Sequence, residues 1–461
     1  MTARTPGRLR PEAELLGTLD EALRSSPGDE AELAVHATVK NTTRFASSAI
    51  HQNSSEEISG ATARVILGGR AGAASGNDLS AGGLADLLRE AARFAASSPP
   101  LAGFRGLPGP TPLPPPQNPD EETLLLSPLD KGSRLKRIFD LAAARGAEMH
   151  GSFTTLASAS AVANTRGIRV SQSSTDAETV LIGMTGQPNP SSGYASQCAR
   201  ALSLLPLEAL AGEAVDKAIA ARYPPKEIPP GRYDVVLEPA AISEILEWLS
   251  LIGFAARAFE DGSSFLCGRE GERVTGESFT LYDDGSDPEG LPCRFDGEGV
   301  GKKKFVLIEN GIGQSAVFDK ATADRLGREP TGHALGARSE EGALPTNLFV
   351  APGTTSREKL IGTMERGLWI TRFHYLNGFL DPKQALMTGM TRDGAFWIED
   401  GRVVAPIVNM RWTESILEAF SRIDGLTPDR RSISAWWGGG AANTVPAMRI
   451  RGFQFTGVSK R

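Results

Sequence analysis

The sequence predicts an α+β protein: an N-terminal α/β domain with a mixed sheet and helices, followed by a C-terminal, mainly-β, barrel-like domain. Three observations predict it. Up to about residue 220, amphipathic helical stretches alternate with strand-like ones. Residues 224–231, PPKEIPPG, place four prolines and a glycine in eight positions and mark a boundary. Beyond them the chain is mostly short strands and loops rich in Gly and Asp, with helical patterns at 239–258 and around 356–365. The expected division is therefore 1–223, a linker at 224–231, and 232–461. A chain of 461 residues can bury a core in each part.

The elements follow in order. Residues 11–24, PEAELLGTLDEALR, form an amphipathic helix with Leu15, Leu16, Leu19 and Leu23 inward. Residues 34–39 and 42–49 read as short strands, 51–57 (HQNSSEE) as a polar turn, and 58–67 as a further strand. A second helix covers 78–96, capped by Asp78 or Ser80. Residues 99–119 hold nine prolines and can be neither helix nor central strand, so they form an extended surface strap. A helix at 132–145 is followed by strands at 149–157, 161–172 and 178–184, with turns at 158–160 and 173–175. A fourth helix covers 204–220.

Composition excludes several function classes. The net charge of −6 offers no phosphate-binding surface, so nucleic acid is not an expected partner. Cys198, Cys267 and Cys293 are widely spaced and odd in number, which fits a reducing compartment without a disulfide framework. The first residues lack an apolar signal core, and no uncharged apolar run reaches roughly 18–20 residues. The expectation is a cytoplasmic protein with no membrane span.

Common catalytic patterns are missing. There is no G-x-S-x-G, and the Gly-rich pieces GGRAG and WWGGG lack dinucleotide or P-loop spacing. Asp283, Asp284, Asp287 and Glu289 crowd one loop but fail the calcium-loop spacing, so solvated carboxylates that fix turns are expected. Cys267 lies in an apolar run and reads as a structural thiol. The five His are scattered, with no pair at helical spacing.

The informative stretch is 233–268, YDVVLEPAAISEILEWLSLIGFAARAFEDGSSFLCG. A buried strand at 234–237 leads through Pro239 into a helix on which Ile242, Ile245, Leu246, Leu249 and Ile252 mark an apolar stripe. A strand feeding a helix is where many enzymes mount catalytic groups. This helix has no His and no Cys; its titratable groups near the middle are Glu244 and Glu247.

The segments SSFLCGREGERVTGESFTLYDDGSDPEGLPCRFDGEGV (263–300), VANTRGIRVSQSSTDAE (162–178), PTNLFVAPGT (345–354), GLWITRFHYLNGFLDP (367–382) and GMTRDGAFWIEDGRVVAPIVNMRWTESILE (389–418) resemble the TldD/PmbA family, once called modulators of DNA gyrase. The resemblance runs from about residue 128 onward. It implies the same two-part division and two kinds of subunit. The TldD kind carries a metal-binding HExxxH on the helix after this strand and a Cys near its C-terminus; the TldE (PmbA) kind lacks these ligands and pairs with the first. Counted without gaps, the HExxxH slot falls on Glu247, Trp248 and Ile252, and the C-terminal region reads SISAWWGGGAANTVPAMRI without a Cys. No metal, other cofactor or catalytic residue is therefore expected in this chain, and zinc is expected on the partner.

The resemblance further implies an enclosed cleft that takes a flexible peptide. Asn347 and Phe349, from PTNLFVAPGT, and His374 and Asn377, from FHYLNGFLDP, are the candidate cleft residues, unless both segments are only well-structured turns. Three functions stay open: the metal-free half of a heterodimeric metallopeptidase with a TldD-like paralogue, a non-catalytic homodimeric peptide-binding scaffold, and an enzyme using its own carboxylates, Glu244 or Glu247. Trp248 and the pair Trp436–Trp437 are aromatic groups of the kind enriched at interfaces, or else core filling.

Overall fold

The structure, a computed structural model, describes residues 9–435 and 441–459. The chain opens with helix α1 (Glu12–Leu23), whose Leu15, Leu16 and Leu19 are buried as their spacing predicts. Three strands follow, β1 (Glu30–Ala46), β2 (Ala49–Leu67) and β3 (Arg70–Gly76), then α2 (Ala81–Ser97), capped by the Ser80 hydroxyl accepting from the Gly83 N–H. After the strap come α3 (Glu121–Leu125), α4 (Pro128–Ala143), β4 (Ala147–Asn164), β5 (Arg169–Thr185), β6 (Ser191–Ala199) and α5 (Leu207–Ala220).

These six strands form one sheet in the order β3-β2-β1-β4-β5-β6, with every pairing antiparallel rather than mixed. The polar stretch 51–57 is strand, not turn: β1 and β2 pair continuously around a tight turn at Ser47 and Ser48, both with positive φ. Residues 158–160 and 173–175 are likewise strand, and the chain reverses at 165–168 instead. Small and polar side chains mislead at these points because only one sheet face carries an extended apolar core; the other face has a small apolar cluster around Val162, Ile168 and Phe295 and is otherwise largely polar. Ala177 and Leu181 of β5 pack with α4 and α5, while the alternate residues Gln172, Ser174, Asp176 and Glu178 face the other way. That second face is broad, polar and only partly covered.

The second half is a larger sheet. Strand β7 (Gly231–Leu237) leads into α6 (Pro239–Leu249), a π turn at Ser250–Phe254 and α7 (Ala256–Glu260). Then come β8 (Leu281–Asp283), β9 (Phe305–Glu309), β10 (Ile312–Gly313), α8 (Lys320–Leu326), β11 (Asn347–Val350) and α9 (Arg357–Gly362). The chain ends with β12 (Arg366–Asp381), β13 (Leu386–Glu399), β14 (Arg402–Pro406), β15 (Met410–Ser415), α10 (Ile416–Ser421), β16 (Ile423–Ser434) and β17 (Ala442–Val458). Strand β7 pairs with β12 on one side and β17 on the other, so β7, β12, β13, β15 and β17 close a ring. Closure removes the sheet edges that an open sheet would expose. Phe373, Trp412, Phe453 and Phe455, contributed by three strands of this ring, pack ring on ring and are fully buried. The barrel-like α+β architecture expected from the sequence is present.

Two buried ion clusters and the strap join the halves. Arg64 on β2 donates to Glu32 at 3.0 Å and to Glu298 of the second half at 2.7 Å. Lys217 on α5 donates to Glu213 at 2.6 Å and to Glu238, which precedes α6, at 2.5 Å. The proline-rich segment is largely exposed and ties the two halves together through its backbone. Its Pro108 carbonyl accepts from Asn164, and its Pro114 carbonyl accepts from Arg294. It crosses Gly301 so closely that a Cβ there would lie 1.9 Å from the Pro112 carbonyl oxygen.

Candidate functional site

Helix α6 begins where the sequence places it, with Pro239 in its first turn and Glu238 at its cap. Its apolar stripe is fully buried: Ile242, Ile245, Leu246 and Leu249 are 0 % exposed. The helix packs against β12, β16 and β17, and Asn443 of β17 donates to the Ser243 hydroxyl at 2.9 Å. After Leu249 one bond slips to the wider spacing, with the Ala255 N–H reaching the Ser250 carbonyl at 3.1 Å. Gly253 permits this turn, because a Cβ there would meet the Phe265 ring at 2.0 Å.

The three slot residues are all buried. Glu247 and Trp248 lie on α6 and Ile252 in the π turn. Trp248 meets Phe379 edge-on at 5.0 Å and lies over Gly378 of β12. Trp248 is thus packed within its own chain, as core filling would have it. The Trp436–Trp437 pair lies outside the described residues. Among the described residues, no group of three or more His, Cys, Asp or Glu is placed to hold a metal ion.

The cleft residues expected from the sequence divide. Asn347 and Phe349 do not line an accessible cleft: β11 lies between β8 and β17, and both side chains are buried. Phe349 stacks on Tyr282 at 5.4 Å. The Asn347 N–H donates to Asp283 at 2.7 Å. Asp283 itself is no solvated loop carboxylate; it is wholly buried, 3.4 Å from Lys302 and 3.1 Å from His333. His374 and Asn377 sit at the surface on β12, half-buried and exposed respectively, on either side of a bulge in its pairing with β13. Within the bulge Tyr375 adopts φ +54 and is 78 % exposed, with Phe379 (60 %) and Leu380 (45 %) exposed beside it.

A polar seam lies between the two halves, and reading the sequence missed most of it. Arg372 of β12 holds Asp393 at 2.8 Å and stacks over the Tyr194 ring at 4.3 Å. Ser192 of β6 donates to the other oxygen of Asp393 at 2.6 Å. Glu244 is not a solvated helix-face residue. Burial pushes its carboxyl up to about 8, with Arg372 opposing and Glu247 adding to the rise. Burial likewise lifts Asp176 to about 7, assisted by Glu178 and opposed by Lys40. Glu178 is raised by burial against the opposing effects of Ser434 and Lys40, and the Cys198 thiol is driven far above its usual range, first by burial and then by Glu178. At neutral pH the Asp176 carboxyl is partly and the Glu244 carboxyl largely protonated, and both can donate hydrogen bonds to carbonyl groups. A small cavity of about 50 Å³ has Asp176 in its lining, and one of about 330 Å³ has Ser192 and Asp393 in its lining. The alternation Ser174, Asp176, Glu178 along β5 was the available signal.

Comparison with known proteins agrees with this architecture. The PmbA/TldA metallopeptidase C-terminal domain matches residues 230–457, and PmbA/TldA metallopeptidase domain 1 matches residues 31–95. The fold overlays on the crystal structure of TldE from Thermococcus kodakarensis with a TM-score of 0.85 at 22 % identity, covering 97 % of this chain and 100 % of that one. A metalloprotease of Methanothermobacter thermautotrophicus is 28 % identical over 223 residues, 48 % of this chain and 47 % of that protein. A metalloprotease TldD homolog of Haemophilus influenzae is 30 % identical over 166 residues, 35 % of this chain and 33 % of that protein. The chain spans about half the length, or less, of these curated relatives. No described helix is long and apolar enough to cross a membrane. With a strand-to-helix junction and closed strand ring inside the matched region 230–457, and β1 and β2 inside 31–95, the chain belongs to the PmbA/TldD family.

Proposed function

We propose that this chain is the metal-free, TldE-type subunit of a TldD/TldE-type metallopeptidase that acts on unfolded or flexible peptides. The observation that carries this reading is the donor set of the α6 slot. A catalytic zinc site takes three ligands from imidazole, thiolate and carboxylate. Glu247 beside an indole and a branched alkyl chain does not make such a set, and Trp248 and Ile252 are packed in the core. These residues do not fit the metal that the relatives' names imply, so no step of the chemistry is assigned to a metal here. Bond cleavage belongs to an HExxxH-bearing partner.

This chain's share is binding. Protonated Glu244 and partly protonated Asp176 offer donors to peptide carbonyls, and Arg372 and Tyr194 fix the seam between them. Hydrogen bonding to a backbone is sequence-tolerant, which suits a flexible substrate. The exposed Tyr375, Phe379 and Leu380 on the β12 bulge supply an aromatic and apolar surface for the partner. A second reading, acid–base chemistry of this chain's own, is favoured by one observation: the raised carboxyl of Glu244 beside Arg372.

The two chains, alone and mixed, are to be compared by size exclusion and by cleavage of an unstructured peptide and a folded protein. The expected result is a stable complex that cleaves the peptide and spares the folded protein. Activity should vanish when the paralogue's HExxxH Glu is changed and survive Glu247→Gln here. A paralogue fully active alone and indifferent to this chain would favour the homodimeric scaffold. One tightly held zinc per chain, lost on Glu247→Ala, would overturn the metal-free assignment, and cleavage by this chain alone, lost on Glu244→Gln, would establish the second reading.

A further inference from the structure

Three acids and one base meet where the first sheet touches the second half. Glu32 and Arg64 stand opposite each other on β1 and β2, on the face turned away from α1 and α2. The turn at 295–301 is seated on that face: Phe295 packs with Val162 and Ile168, and a Cβ on Gly299 would meet Ile168 at 2.5 Å. Arg64 reaches across to Glu298 of this turn at 2.7 Å and back to Glu32 at 3.0 Å. The second oxygen of Glu298 accepts the Lys320 N–H at the start of α8, 2.9 Å away. Asp296 closes the turn from within, accepting the Glu298, Val300 and Ala334 N–H groups at 2.9 Å each.

The charges do not balance. Glu32, Asp296, Glu298 and Arg64 are all buried, so three ionised carboxylates would face one guanidinium away from water. Arg64 spends its two terminal nitrogens on the two glutamates, and its buried Nε has no hydrogen-bond partner among the described residues. The other charged groups close by are committed elsewhere. Glu30 of β1 holds Arg166 at 3.0 Å, and Lys320 and Asp324 of α8 pair with each other. Asp319 caps α8 through the Ala321 N–H, His333 faces Asp283, and His36 of β1 is turned to Gly60. From β4 the neutral Asn164 lies opposite Glu32, and the strap at 107–113 has no charged residue. Burying a surplus of charge is costly, and holding protons relieves it. Burial lifts the Glu32 carboxyl to about 7, with Arg64 opposing and Glu298 and Asp296 adding to the rise. Burial lifts Asp296 to about 7 as well, with Glu298 adding and its three backbone donors opposing.

We propose that this cluster is a proton-held clasp between the halves: it keeps the 295–301 turn on the first sheet while its surplus carboxyls carry protons, and lets the turn lift off as they ionise. Lifting returns Asp296 and Glu298 to water and leaves Glu32 and Arg64 as an even pair. The strap follows the turn, because the Thr111 hydroxyl accepts the Gly301 N–H at 2.7 Å and Pro112 crosses Gly301. Lys217 on Glu238 and Arg431 on Glu213 still tie the halves elsewhere, so the opening is local. The sign follows from the raised carboxyls. Each favours the closed form fully below its ordinary value, 4.5 for Glu32 and 3.8 for Asp296, and that advantage is lost as pH rises through about 7.

The test is hydrogen–deuterium exchange of the full chain at about pH 6 and about pH 8.5, read by mass spectrometry and corrected for the intrinsic pH dependence of exchange. Peptides covering 295–301 and 107–113 report the clasp, and peptides from β17 report the rest of the fold. Between the two pH values the clasp peptides should lose protection by about tenfold for each carboxyl that returns to its ordinary range, while β17 is unchanged. Glu32→Gln keeps the shape of the protonated acid but does not titrate, so it should reduce the alkaline loss by about tenfold. Glu298→Gln weakens the bridge itself and should lower clasp protection at pH 6 as well. Equal clasp protection at both pH values overturns the proposal, as does an alkaline loss of the same size in Glu32→Gln. A loss spread evenly over β17 also overturns it, because that is destabilisation of the whole chain rather than release of a clasp. The parent's own pH comparison decides the matter even where a variant fails to fold.

Discussion

Lys217→Met should destabilise the protein by about 3 kcal/mol at neutral pH, and the figure follows from what Lys217 touches. The ammonium is 3 % exposed and donates to the Glu213 carboxylate, the Glu238 carboxylate and the Tyr194 carbonyl. Removing one partner of a buried ion pair costs roughly 3–5 kcal/mol when the other charge is stranded. Neither carboxylate is wholly stranded here. Glu213 keeps Arg431 at 2.7 Å, and Glu238 keeps Arg357 at 3.1 Å and the Trp369 indole at 3.0 Å, which places the expectation at the low end. Met preserves most of the volume, so cavity formation adds little. Urea unfolding at pH 7 measures the loss, and adding Glu238→Gln should recover part of it as a coupling energy. The loss should also shrink in acid. Burial tends to raise Glu213, but Lys217 and Arg431 outweigh it and hold the carboxyl at about 2, below its ordinary 4.5. That stabilisation is present above about pH 4.5 and fades as pH falls toward 2. A loss under about 1 kcal/mol at pH 7 would show that the cluster behaves like a surface pair and that α5 is not wired to α6 through it.

Three further perturbations test other parts of the account. Leu249→Ala, at a position 0 % exposed on α6, should cost roughly 2–5 kcal/mol in urea unfolding. Gly301→Ala, which sets a Cβ against the strap backbone, should cost about 1–3 kcal/mol and raise proteolytic nicking within 99–119. Glu244→Gln should leave stability unchanged near pH 4 and raise it by about 1 kcal/mol or more at pH 9. The raised folded-state carboxyl of the parent favours folding below about pH 4.5, and that advantage is lost as pH climbs through about 8, whereas Gln does not titrate.

How far the sequence could be read depended on how one-sided each segment's burial is. Helices α1, α2, α5 and α6 were legible because each buries a stripe with helical period, and Ser80 and Pro239 mark two of their starts. The long strands β1, β2, β4 and β5 read as shorter pieces because their partly covered face carries Ser, Thr, Gln and Glu, which in isolation resemble turns. The slot at Glu247, Trp248 and Ile252 was legible as residue types. The burial of Asn347 and Phe349 was not, since it depends on β8 and β17 arriving on either side from distant parts of the chain. The seam was invisible for the same reason. Asp176, Tyr194, Glu244 and Arg372 come from four elements, and no spacing in the chain relates them.

That contrast bears on what the slot residues do. A metal-binding helix must keep polar ligands in a protein interior, where each unmet polar group costs free energy. In this chain Trp248 and Ile252 present apolar surface there, Trp248 closing over Gly378 and Phe379, so α6 acts as a packed strut against the strand ring. The polar groups near it lie instead on the side turned to the first sheet. Glu244, half-buried, is opposed by Arg372, which reaches Asp393 and Tyr194. A strut with no use for the second sheet face would have no reason to keep a raised carboxyl, Glu244, in the same polar seam as Asp176 and Glu178 of β5 at a cost in stability. A carboxyl whose protonated form burial favours, as at Glu244, is suited to donating a hydrogen bond to a backbone that enters there. The arrangement therefore favours a binding wall over an inert relic of the fold, and it makes Glu244→Gln, which keeps a donor, a milder change for peptide affinity than Glu244→Leu, which removes it. Equal affinities for the two variants would refute the wall.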